Sequence, residues 1–265
     1  MNPKQPIGVF DSGVGGLSVV QELRSRLSGE EIIYFADTAH VPYGGRSHTE
    51  LLHLGEWILN FFVEHQVKVV VAACNTSSAV SMPILKEHYQ IPIITVLEPG
   101  AREAARVSHG KIGVMATQTT VASRAYPRRV ADFAPDMEVT QVACPRFVPL
   151  IEAGVIEGPE IESVVQEYLE PLLKARIDTL VLGCTHYPFL TPVIRRFLPE
   201  SVQIIDPALP TITQLELYLN ENNLDNSGAG SQYQYYCSGS PQSMYDLDHR
   251  ILNLGIKQAT VVEMD

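Results

Sequence analysis

The chain has 265 residues, enough to bury a sizeable core in one large domain or two smaller ones. Its residues are 45% hydrophobic and 18% charged, with a mean hydropathy of +0.04, and no apolar run approaches the ~20 residues needed to cross a bilayer, which excludes a membrane-spanning helix. A net charge of −11 argues against nucleic acid as the main partner, since duplex binding needs a basic face.

The chain opens on "MNPKQPIGVFDSG", one lysine and a short apolar run, which is not a secretory signal, so a cytoplasmic protein is expected. Continuous apolar runs at 7–10, 31–37, 67–74 and 91–96 predict strands buried on both faces, as in a parallel sheet. Amphipathic patterns over Leu17–Leu27 and His48–Glu64 predict helices between them. The series then restarts: strands are expected at 111–117, 138–144, 179–184 and 202–207, with helical stretches after Thr120, Pro159 and Thr191. Arg124, Arg128 and Arg129 read as a solvated helix face. A polar, glycine-rich loop follows at 220–232, then a strand from "YQYYCSGSP" and a helix from "QSMYDLDHRILN".

Alternation of strand and helix predicts an α/β fold with largely parallel sheets. The two series look like copies, with "IGVFDS" matching "IGVMAT" and "VVVAACNT" matching "TLVLGCTH". Two similar domains related by pseudo-twofold symmetry are therefore expected, residues 1–97 plus 209–265 and residues 98–208, with the C-terminal tail completing the first. Open α/β sheets bind ligands at the carboxyl ends of their strands. If the halves face each other, Cys74 and Cys184 point into one cleft.

Each motif carries a plain structural alternative. "DSGVGGLS" (11–18) has Ser18 where a dinucleotide fingerprint needs glycine, and no Gly-Lys-Ser/Thr of a Walker loop follows. A tight turn offering N–H groups and the Ser12 hydroxyl to a small anion fits it better. "CNTSS" places Cys74 where a helix begins, a geometry that lowers a thiol pKa from about 8.5 toward neutrality. Asn75 and Thr76 add donors suited to a carboxylate. "CTH" repeats the pattern with Thr185 and His186. Cys144 and Cys237 lack that context and read as packing residues. No C-x-x-C pair signals zinc or a redox pair, and no lysine has a Schiff-base context, so neither metal nor cofactor is expected.

Two thiols facing a small acid suggest proton transfer. One thiolate takes a proton from carbon, and the other thiol returns one to the opposite face, inverting the stereocentre. The intermediate needs donors around the carboxylate, and Ser12, Asn75, Thr76, Thr117, Thr120 and Thr185 are available. Asp11 could serve one thiol, and Glu152 and His186 the other.

The segments "IGVFDSGVGGLSV", "YFADTAHVPYGGRS", "ACNTSSA", "FVPLIEAG" and "LGCTHYPFL" together resemble the cofactor-independent aspartate/glutamate racemase family. The resemblance runs from about residue 7 to about residue 207, with a weaker C-terminal match. It implies two-base interconversion of L- and D-glutamate, supplying D-glutamate for peptidoglycan. By resemblance Cys74 handles the α-proton of D-glutamate and Cys184 that of L-glutamate, with Asp11, Glu152 and His186 assisting. Asp11, Ser12, Tyr43, Gly44, Asn75, Thr76, Thr185 and His186 match substrate contacts. Thr117 and Thr120 do so in a segment where Ala116 stands in place of the family's more usual glycine. The resemblance also implies a homodimer. The first motif begins at residue 7, so the N-terminal extension of relatives activated by a cell-wall precursor nucleotide is not expected here. Two other readings remain open: a racemase of aspartate or another small acid, and a non-catalytic acid-binding or partner-binding protein on the same scaffold.

Overall fold

The computed structural model describes residues 2–226, 228 and 232–264, so part of the expected loop at 220–232 lies outside the described residues. Among the described residues, ten strands form two sheets. They are β1 (Ile7–Asp11), β2 (Ile32–Ala36), β3 (Val69–Ala72), β4 (Ile93–Thr95), β5 (Lys111–Ala116), β6 (Glu138–Ala143), β7 (Thr179–Gly183), β8 (Gln203–Ile205), β9 (Tyr233–Cys237) and β10 (Thr260–Val261). The strand orders are β10-β9-β2-β1-β3-β4 and β6-β5-β7-β8, and every pairing is parallel. The order β2-β1-β3-β4 is thus repeated as β6-β5-β7-β8, which is the duplication read from the sequence. The C-terminal tail adds β9 and β10 to the first sheet.

The apolar runs behave as a parallel sheet demands. All residues of β1, β2, β3 and β7 are buried, because helices cover both faces of their sheets. On one face of the first sheet Val9, Tyr34 and Val71 pack with Leu17, Val20 and Ile212. On the other, Phe10, Phe35 and Val70 pack with Ile58, Leu59 and Phe62 of the helix His48–Glu64. That helix starts on a capping box, with Ser47 accepting from the Glu50 N–H and the Glu50 side chain accepting from the Ser47 N–H.

Two helices unassigned by the sequence reading carry the chain between the halves. Leu97–Val107 leads from β4 to β5, and Ala208–Glu221 returns from β8 toward β9. Each has a proline at its third position, Pro99 and Pro210, which weakens the helical pattern to the eye. A proline there does no harm, since the first four N–H groups of a helix have no partner within it. The two crossings lie against each other, with Gly100 so near Pro207 that a Cβ would stand 3.0 Å from it. One apolar cluster is common to both halves, joining Tyr43, Leu51 and Cys74 to Ala116, Tyr126 and Val181. Lys68, fully buried, pairs with buried Glu30 just before β3, at the end remote from Cys74, and also donates to the carbonyls of Pro3 and Leu224.

The repeat extends to packing. Gly8 of β1 and Gly113 of β5 occupy matching positions, and each lets a neighbour rest on the strand. A Cβ on Gly8 would meet the Phe62 ring at 2.7 Å, and one on Gly113 would meet Ile177 at 2.6 Å. Gly8→Ala and Gly113→Ala should each destabilise the protein by about 1–3 kcal/mol through overpacking. Denaturant unfolding would read this as a lowered midpoint; unchanged midpoints would show that the Phe62 and Ile177 side chains shift at no cost.

Candidate active site

The carboxyl ends of β1, β3, β5 and β7 surround one small cavity. The first half contributes Ser12, Pro42, Tyr43, Gly44, Cys74, Asn75 and Thr76, and the second contributes Thr117, Val148, Cys184, Thr185 and His186. Larger grooves exist, one of about 630 Å³ between the two crossing helices, but no cysteine lines them. The small cavity holds both thiols, a histidine and a ring of neutral donors.

Cys74 caps the short helix Asn75–Val80. Its thiol does not behave as the helix start alone suggests. Burial pushes its pKa up to about 12, and the Asp11 carboxylate pushes the same way, against the Ser77 N–H and hydroxyl, which favour the thiolate. A helix of six residues offers too little dipole to offset full desolvation. The expectation of a lowered Cys74 pKa is therefore corrected.

Cys184 departs from the repeat in another way. It follows β7 directly, but the next element is a 3₁₀ turn, Tyr187–Leu190, capped by His186, so the thiol does not head an α-helix. An imidazole takes the place of the helix end. His186 Nδ1 lies 3.8 Å from Cys184 Sγ, and His186 Nε2 lies 2.7 Å from Glu152 Oε1. Burial would lower the His186 pKa, but hydrogen bonds to Cys184 and Glu152 outweigh it and hold the value well above 6.5. Burial would raise the Glu152 carboxyl, and the same imidazole brings it below 4.5. Glu152 stands behind His186, not on the cavity wall.

Asp11 also stands behind the wall. It is fully buried at the end of β1, accepting from Thr185 Oγ1 at 3.0 Å and from the Gly13 N–H at 3.1 Å. Burial raises its pKa, and the charge on His186 partly offsets this. The Gly13 N–H is thus committed to Asp11 and not offered to an anion. The glycines of "DSGVGG" serve close approach: a Cβ on Gly15 would meet His186 Nδ1 at 2.5 Å and Thr185 Oγ1 at 2.6 Å. Ser12 remains on the wall.

The polar donors are tied across the cleft. Thr76 Oγ1 lies 3.0 Å from Thr117 Oγ1, and Thr117 lies 2.9 Å from Thr120 Oγ1. Thr117 caps the helix Gln118–Ser123 and takes the Thr120 N–H, so Thr120 is held behind Thr117, and it does not line the cavity. Gly44 rests on Thr117, where a Cβ would stand 2.7 Å from that side chain, and its carbonyl accepts from Thr119 Oγ1 at 3.0 Å. The Tyr43 hydroxyl donates to Asp37, which also accepts from Ser238 and sits 2.7 Å from His40 Nδ1. The Tyr126 hydroxyl donates to Asn75 Oδ1 at 2.7 Å. The sequence reading missed Asp37, Tyr126 and Val148. Asp37 could have been noticed, since it directly follows the second strand, beside Asp11 at the end of the first; Tyr126 and Val148 carry no local signal.

The Glu152–His186 pair sets a pH signature. A raised histidine pKa contributes stability that is full below 6.5 and is lost as pH climbs through the folded value. A lowered carboxyl pKa contributes stability that is full above 4.5 and is lost as pH falls through the folded value. The stability difference between the unsubstituted protein and Glu152→Gln should therefore be largest between pH 4.5 and 6.5 and shrink on either side. Denaturant melts across pH would check it, and a difference indifferent to pH would show that the pair is not ionic.

Residues 7–215 match the family described as Asp/Glu/Hydantoin racemase. The glutamate racemase of Carboxydothermus hydrogenoformans is 44% identical over 259 residues, covering 98% of this chain and 96% of the relative. That of Trichormus variabilis is 48% identical over 240 residues, covering 90% and 82%. The crystal structure of Francisella tularensis glutamate racemase in complex with D-glutamate superimposes with a TM-score of 0.93 at 35% identity, covering 99% of each chain. The Picrophilus torridus aspartate racemase, at 13% identity, 84% and 99% coverage and a TM-score of 0.58, shares the fold alone. With the two facing cysteine turns in place and a family match across most of its length, this chain belongs to the Asp/Glu/Hydantoin racemase family.

Proposed function

We infer that the protein interconverts L- and D-glutamate by two-base proton transfer, without cofactor or metal, and supplies D-glutamate for peptidoglycan. The observation that carries this reading is the placement of Cys74 and Cys184, from matched turns of the two halves, on the wall of one cavity lined with neutral donors. Relatives at 44–48% identity named glutamate racemase favour glutamate over aspartate.

In this reading one cysteine thiolate removes the α-proton and the other cysteine's thiol delivers a proton to the opposite face of the same carbon. Negative charge spreads into the α-carboxylate, where Ser12, Asn75, Thr76 and Thr117 supply donors, the Thr185 hydroxyl being committed to Asp11. His186, within reach of Cys184 and held by Glu152, takes and returns that thiol's proton. The substrate's ammonium brings positive charge to the side where Asp11 and Cys74 are both raised by burial, relieving the carboxylate and easing formation of the Cys74 thiolate. The cavity measures only about 10 Å³ of water-accessible volume, so the walls part to admit an amino acid and close again around it. Units 1–97 plus 209–265 and 98–208 are the bodies that would move, and the paired crossings Leu97–Val107 and Ala208–Glu221 support that division. The absence of a helix long and apolar enough to cross a membrane among the described residues is compatible with a cytoplasmic enzyme, and the family resemblance supports a homodimer.

Cys74→Ser and Cys184→Ser should each lower turnover by about a hundredfold to ten-thousandfold, the range for losing a positioned acid or base. Cys144→Ser and Cys237→Ser should keep nearly full activity, and near-normal turnover in either of the first pair would sink the two-thiol mechanism. Incubation of L-glutamate with the enzyme in D2O, chelator present, should yield D-glutamate carrying one deuterium at the α-carbon. Unlabelled and unchanged L-glutamate from folded protein would point to another acid or to a binding role.

A further inference from the structure

Asn75 is the one side-chain amide on the cavity wall, and an amide can face a ligand in two ways. With Nδ2 forward it offers hydrogens to an acceptor; with Oδ1 forward it repels one. What decides between them is on the opposite half. Tyr126, on the helix Ala125–Phe133, is fully buried and donates its hydroxyl to Asn75 Oδ1 at 2.7 Å. That bond occupies the oxygen and leaves Nδ2 for the cavity.

The slot that holds this tyrosine is built for it. A Cβ on Gly183, the residue before Cys184, would stand 3.0 Å from the Tyr126 ring, and one on Gly100 would stand 3.6 Å from its hydroxyl. The helix 125–133 and the strand that presents Cys184 thus fix the ring from one half, while its hydroxyl reaches into the other. Burial pushes the phenol pKa up, so the hydroxyl keeps its proton and remains a donor.

We propose that Tyr126 is a positioning residue: it locks the Asn75 amide with its hydrogens toward the cavity and so makes that point of the site selective for a carboxylate oxygen. The inference rests on the reading of the site as that of a glutamate racemase. It adds a residue that touches no substrate yet decides which group the substrate meets.

The test is a double-mutant cycle on the full chain, with kcat and KM measured from L- and from D-glutamate. Tyr126→Phe keeps the ring and removes the donor. It should lower kcat/KM about five- to tenfold, the worth of one buried hydrogen bond, with most of the change in KM because the amide holds the carboxylate in ground and transition states alike. In an Asn75→Ala background the same substitution should change kcat/KM less than about twofold, since its target is gone. Equal losses in both backgrounds would show that Tyr126 acts by packing alone and would overturn the inference, as would unaltered kinetics in Tyr126→Phe. Should Tyr126→Phe fail to fold, Asn75→Asp reads the same point from the other partner. It presents an oxygen whichever way it turns, so KM should rise at least as far, and an unaltered KM would overturn the proposal. If the unsubstituted enzyme does not racemise glutamate, the reading of the site fails and the inference falls with it. Turnover by that enzyme with an indifferent Tyr126 removes the inference only.

Discussion

Polar links between the two halves run through the walls of the cavity, and the remainder of the site depends on them. Thr185 donates to Asp11, Thr76 meets Thr117, Tyr126 donates to Asn75, and Thr119 donates to the carbonyl of Gly44. Each joins a residue of the first half to one of the second. Buried polar groups left unpaired are costly, so these bonds hold the two halves together in one register at the cavity.

That constraint explains why glycine is concentrated at the joint. Gly15 lies against Thr185 and His186, Gly44 against Thr117, and Gly16 against Asp11, where a Cβ would stand 2.5 Å away. None of these three has a positive φ; what they provide is the missing side chain. Backbone can then approach the side chains it faces closely enough for the cavity walls to meet.

The two thiols end up in unlike surroundings although their turns are repeats. Cys74 sits among Asp11 and the amides of a short helix, and Cys184 sits beside an imidazole braced by a carboxylate. A racemase must handle mirror-image substrates at one site, but its own residues are not mirror images. The carboxylate side of the cavity is fully desolvated, while the imidazole side has Glu152 partly open to solvent and able to exchange protons with it.

Much of the architecture was legible from one physical signal. Buried parallel strands read as continuous apolar runs, and their repetition disclosed two sheets with the same strand order. The residue types of the chemistry were legible too, because two cysteine turns at matched strand ends stand out in any α/β pattern. The crossing helices were hidden by Pro99 and Pro210, whose effect depends on position within a helix that local pattern does not locate. By itself the sequence determined which backbone segments are buried, where the strands end and which side chains stand at those ends, since periodicity and local propensity act over a few residues. Only the tertiary structure decided that Thr120 falls behind Thr117, that burial raises the Cys74 thiol, and that Tyr126 reaches Asn75 from a helix some fifty positions along the chain. Desolvation and hydrogen bonds across the cleft come from residues far apart in sequence, and they exist only in the folded chain.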